Sequence, residues 1–166
     1  MVNNFIQSAE AVGATVKRFS TAAEVAPYLS ALANGGTVTT SFLPTALATH
    51  CTAISSGMAD PAQATLCVSR AEAGIAATGS LLIDLKSTAE RAATALAPIH
   101  AVFLDPDAIV PDLYALAERL QQLLTTGGQA YFSLTTGPSR TADIERVLTI
   151  GVHGAKELHI LLLEGA

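Results

Sequence analysis

Apolar residues follow two alternating patterns along this chain. Short β-branched runs are interspersed with stretches spaced by three and four, and the alternation predicts strand and helix in turn. Phe5, Ile6, Ala9 and Val12 share one face of a short helix over 3–12, and Ala14 to Phe19 reads as a strand. Thr21-Ala22-Ala23-Glu24 has the form of a capping box. A helix therefore opens there and runs toward Asn34-Gly35-Gly36, with Pro27 expected to kink or delay it. Thr37 to Phe42 is β-branched and strand-like, and Pro44 suits the first turn of a helix reaching His50.

Residues 55–63 read as a loop. Further strands are predicted at Thr65–Val68, Ser80–Leu85 and Ile99–Leu104, the last ended by Asp105-Pro106-Asp107. The strongest helical period covers 109–124, where Val110, Leu113, Tyr114, Leu116, Leu120 and Leu123 recur before Gly127-Gly128. Gln129 to Thr135 reads as a strand, 140–150 as a helix and Glu157–Leu163 as a final strand. Seven strands alternating with helices predict the α/β class: a three-layer single domain over residues 1–166 with a mostly parallel sheet.

Composition narrows the function. The chain has 166 residues, half of them apolar, but 31 are alanine and only 5% of the chain is aromatic, so its core depends on close approach of backbones. With 14% charged residues it is too apolar for a disordered chain. A net charge of −5 and no basic run exclude a general phosphate-neutralising surface, so no nucleic-acid partner is expected. The longest apolar stretches, such as Leu161-Leu162-Leu163, fall far short of the ~18 residues of a membrane span. The first ten residues lack a signal-peptide pattern, and a cytoplasmic location is expected. Cys51 and Cys67 read as small buried apolar residues, and no histidine has the spacing of a metal ligand, so no metal is expected.

The segment from Thr135 to Glu145 carries the most chemistry. Gly137 permits a left-handed turn, Pro138 fixes the next dihedral, and Ser139 or Thr141 is placed to cap a following helix. Free amides at such a helix start attract anions, and Arg140 adds a planar fork for phosphate or carboxylate. Asp143 is expected to orient Arg140 or the backbone rather than to react. A second glycine turn, Thr78-Gly79-Ser80, offers two hydroxyls as an opposing wall. In the Gly151-Val152-His153-Gly154 turn, His153 is a candidate proton donor.

Three segments together resemble the LUD-domain proteins, the lactate utilization protein C family. They are TTGPSRTADIERVLTIGVHG (135–154) followed by ELHILLL, AEAGIAATGSLLI (71–83) and APIHAVFL (97–104). The resemblance covers roughly 65–163, and relative to that family the chain reads as short at its N-terminus. It implies a fold similar to the glucosamine-phosphate deaminase, ribose-phosphate isomerase and CoA-transferase group. It also implies a part in oxidation of L-lactate to pyruvate beside iron–sulfur partner subunits. Family members often carry glutamate at the position of Ala77 and proline at that of Ala155. Three readings follow. One is an accessory protein holding an anionic small molecule at residues 78–80 and 137–143; another is an independent isomerase, thioesterase or CoA-transferase-like enzyme using Glu72 and His153; the third is a purely structural interaction subunit in which the glycine turns only turn. The cofactor, if any, and homo-oligomerisation stay open.

Overall fold

The computed structural model describes residues 1–40, 60–126, 131–142, 148–150 and 154–164. Its centre is a five-stranded, wholly parallel sheet in the order β1-β11-β6-β3-β2. The strands are β1 (Thr15–Phe19), β2 (Val38–Thr40), β3 (Leu66–Arg70), β6 (Ile99–Leu104) and β11 (Glu157–Leu163). The three inner strands are near-continuous apolar runs, as strands buried on both faces must be. The outer β1 instead exposes Lys17 and Arg18, charges that blunt an open sheet edge.

Alternation along the strands sends two distinct sets of side chains to the two faces. One face sets Val38, Leu66, Val68, Ala101, Phe103 and Leu161 against α2 (Ala22–Ala33), which contributes Val25 and Leu29. The other face carries Val102, Leu104, Leu158, Ile160 and Leu162. Against it lie α1 (Val2–Ala11), through Phe5 and Ala9, and β5 (Ser80–Asp84), through Leu81 and Ile83. Cys67 on that face meets Ala93 of α3 (Thr88–Leu96). A second sheet has the order β7-β4-β5-β8, where β4 is Ala73–Ile75, β7 Ile109–Val110 and β8 Phe132–Thr135. Its far face packs Ala73, Ile75 and Leu82 on Leu116 of α4 (Leu113–Thr126).

The α/β class and the parallel central sheet are as the sequence predicts, but several elements differ. Arg140–Ala142 (β9) and Leu148–Ile150 (β10) are strands of an antiparallel pair rather than parts of a helix over 140–150. Ile109–Val110 pairs with β4, so α4 begins only at Leu113, and the Ala115 amide donates to Asp112 Oδ1 at 2.9 Å. Helix α3 has no counterpart in the predicted elements. It opens on a complete capping box, Ser87 Oγ accepting from Glu90 N and Glu90 Oε2 from Ser87 N. At α2 the Thr21 hydroxyl caps nothing; Glu24 reaches back to accept from Ser20 N at 3.1 Å, and the helix continues through Pro27. The segment expected as a helix from Pro44 to His50, and the Gly127-Gly128 stop, lie outside the described residues.

Candidate functional site

A cleft of about 450 Å³ opens on the sheet face opposite α2. One wall is the chain leaving β8, from Ser133 through Arg140. Facing it are Thr94 and Ala95 at the end of α3, Gly154 and Ala155, and two residues of the sheet, His100 and Leu158. Gly137 holds the turn with φ of 67°, and a side chain there would come within 2.6 Å of the Val12 carbonyl oxygen. The turn therefore lies pressed against the end of α1, and glycine is required twice over: for its dihedral and for its lack of bulk.

Of the residues expected at a site, Gly137, Pro138, Ser139 and Arg140 line this cleft together. The helix N-terminus expected there is not formed, because Arg140–Ala142 is a strand. Thr141 sits on that strand in register with Thr149, where the helix start was expected. The expected amide cradle is spent differently too: the Ser139 N–H donates to the Ala155 carbonyl at 2.9 Å. Asp143 and His153 lie outside the described residues.

Thr78, Gly79 and Ser80 lie behind the turn instead of facing it. Ser80 Oγ is 2.7 Å from Thr78 Oγ1 and 2.7 Å from Thr136 Oγ1, a chain of three hydroxyls bracing the turn's back. Gly79, at φ 68°, abuts α1 so closely that a Cβ would lie 2.3 Å from the Ala9 nitrogen. Both glycine turns are thus seats for the N-terminal helix. Arg140 shares in this contact: a side chain at Gly13, just past the end of α1, would meet its guanidinium at 2.5 Å. A cation beside a helix C-terminus complements the dipole there, so Arg140 serves the fold as well as lining the cleft. Glu72 does not line the cleft; its carboxylate is 4.0 Å from the Arg119 guanidinium of α4. Of the expected Glu72–His153 pair only Glu72 lies within the described residues.

One residue lining the cleft, His100, and the serine bonded to it, Ser69, were not among the expected site residues. His100 of β6 is 3% exposed and its Nε2 lies 2.7 Å from Ser69 Oγ of β3, itself 1% exposed. Burial holds the imidazole neutral, with its pKa lowered from 6.5 to about 4. Their signal was a polar residue within each of two largely apolar strands, His100 in β6 and Ser69 next to Arg70 at the end of β3. Cys67 and Thr39 stand in register with His100 across β3 and β2, extending the polar row. Burial, and behind it the Glu90 carboxylate, pushes the Cys67 thiol up to about 12, so it is no nucleophile. The Thr39 hydroxyl is buried without a hydrogen-bond partner among the described residues.

On the α2 face the polar groups have a different arrangement. Tyr28 Oη is 2.8 Å from His159 Nδ1, and His159 Nε2 is 3.1 Å from Glu157 Oε2, a clasp tying α2 to β11. Burial and the Glu157 charge raise the Tyr28 pKa, keeping its proton available for that bond. Among the described residues no cluster of three or more His, Cys, Asp or Glu forms, and no helix is long and apolar enough to cross a membrane.

Residues 58–163 match the model of the LUD domain family. An uncharacterised Neisseria meningitidis protein is 32% identical over 95 residues, 57% of this chain and 40% of its own. The uncharacterised protein YkgG of Escherichia coli is 36% identical over 61% of this chain and 45% of its own. Lactate utilization protein C of Bacillus pumilus is 29% identical over 54% of this chain and 38% of its own. The chain thus spans less than half the length of these relatives. A crystal structure of a DUF162 family protein from Deinococcus radiodurans superposes with a TM-score of 0.68 at 15% identity, covering 98% of this chain and 95% of that one. That likeness shows the fold alone. The family match spans most of the chain and includes the whole of the cleft's lining: the chain belongs to the LUD domain family.

Proposed function

We propose that the chain serves lactate utilization and holds a small organic anion in the cleft beside Thr135–Arg140. The supporting observation is the convergence of hydroxyl-bearing residues (Ser133, Thr135 and Ser139) with the cation Arg140 on one cleft. Hydroxyls donate to carboxylate oxygens, and the guanidinium fork supplies charge and planarity. The name of the Bacillus pumilus relative supplies the physiological context. With only two cysteines the chain is too poor in thiolates to ligate an iron–sulfur cluster of its own. Electron transfer in lactate oxidation then belongs to iron–sulfur partner subunits.

Ligand-dependent thermal stability tests this reading. The panel is L-lactate, pyruvate, phosphate, a sugar phosphate and CoA, against wild type and Arg140→Ala. A ligand at a hundredfold its Kd adds about 2.7 kcal/mol to stability. The expected outcome is stabilisation by the small carboxylates in wild type, lost in Arg140→Ala. A flat response across the panel contradicts the reading. Stabilisation by CoA alone would move it toward acyl transfer.

A further inference from the structure

Ser69 and His100 form a polar pair where packing alone asks for none. The opposite face of the same two strands carries Leu66, Val68, Ala101 and Phe103, all buried and apolar. Replacing both partners of a buried hydrogen bond with apolar groups is close to neutral for stability, so the fold does not require this pair. What sets it apart is position. His100 lines the cleft together with Thr135, Thr136, Ser139 and Arg140, whereas Ser69 does not line it and touches the ring at one nitrogen. That bond fixes the orientation of the imidazole and ties its tautomer to the direction of the serine proton.

The chemistry of the two groups divides their roles. A neutral imidazole in a buried setting offers no charge to a carboxylate; it is a directional partner for an uncharged oxygen. The cation among the lining residues is Arg140, at the end of the lining turn, with its guanidinium beside Gly13. A small acid whose carboxylate is held by Arg140 and the hydroxyls has one more polar atom to place if it carries oxygen on the adjacent carbon. We propose that His100, oriented by Ser69, hydrogen-bonds the hydroxyl or carbonyl oxygen at C2 of a 2-hydroxy or 2-oxo acid, so that the cleft selects such acids over simple carboxylates. This inference rests on the reading of the cleft as an anion site. His100 is then a binding residue and Ser69 a positioning one.

The test is a set of titration-calorimetry affinities for L-lactate, pyruvate and propionate. The proteins are wild type, Ser69→Ala and His100→Asn. In parallel, wild type labelled with ¹⁵N-histidine reports the His100 ring nitrogens by NMR and needs no variant to fold. A site that hydrogen-bonds a substrate oxygen rejects the analogue lacking it, so wild type should bind lactate or pyruvate at least about tenfold more tightly than propionate. The His100 ring signals should move with the first two ligands and stay in place with propionate. Ser69→Ala should narrow the preference while leaving propionate affinity unchanged. Equal binding of all three acids with unmoved His100 signals overturns the proposal and leaves the anion site standing. A preference retained in both variants overturns it as well. No binding of any acid to wild type overturns both readings together.

Discussion

The two faces of the parallel sheet are built from the same strands and do different work. Toward α2, Leu66, Val68, Ala101, Phe103 and Leu161 close on Val25 and Leu29. The polar groups there, Tyr28, His159 and Glu157, bond to one another. On the other face Thr39, Cys67 and His100 stand in one row across three strands, with Ser69 beside them. A cleft opens over that face and none of its lining residues comes from α2. Both faces pack a core, since Val102, Leu104 and Ile160 on the cleft face close on α1 and β5, but only one face also carries this polar row under a cleft. Shifting a residue by one along β3 or β6 moves it from the α2 core to the face the cleft opens on.

Breaking the packed face should have the largest effect. Phe103→Ala removes a fully buried ring and should destabilise the fold by about 3–5 kcal/mol in chemical denaturation, with ligand affinity per folded molecule unchanged. A loss of affinity in the folded fraction would mean that the faces are not independent. Acid should act next, and through the other face. His100 has a folded-state pKa of about 4 against 6.5 when unperturbed. Below pH 6.5 the unfolded chain takes up a proton that the folded chain refuses until about pH 4. The stability this group contributes is therefore present above 6.5 and lost as pH falls through that window, on the order of 3 kcal/mol. Urea denaturation at pH 7 and pH 4.5 should show a larger acid loss in wild type than in His100→Asn. Equal losses would remove His100 as the source. Tyr28→Phe should have the smallest effect, about 1 kcal/mol from the lost bond to His159, with no change at the cleft.

How legible all this was in the sequence varied by element. Glu157–Leu163 is observed with the bounds predicted, since Leu158 and the run Ile160–Leu163 mark a central parallel strand despite Glu157 and His159. The helix that opens on the Ser87–Glu90 capping box was not predicted, because it is rich in alanine and buries only Ala93, so its apolar period is faint. The segment after Ser139 misled because Ile144, Val147 and Leu148 fall at helical spacing, while the β-branched Thr141, Thr149 and Ile150 favoured the strands that form. At the site, the string Gly137–Arg140 was readable because glycine, proline and arginine each have a local signature. Ser69 and His100 were not, because they are 31 residues apart and only strand pairing brings them together. The role of α1 in seating Gly79 and Gly137 was equally hidden, a contact between segments distant in sequence.

The central claim is that the polar face, at the Thr135–Arg140 cleft, is where this chain holds a small anion. Backbone-resolved NMR during titration with L-lactate tests it most directly. The account predicts amide shifts concentrated at 133–140, at Thr94 and at His100, with Val68, Phe103 and the α2 helix unmoved. Shifts centred on α2 and its sheet face, or no shift at saturating lactate and pyruvate, would contradict it.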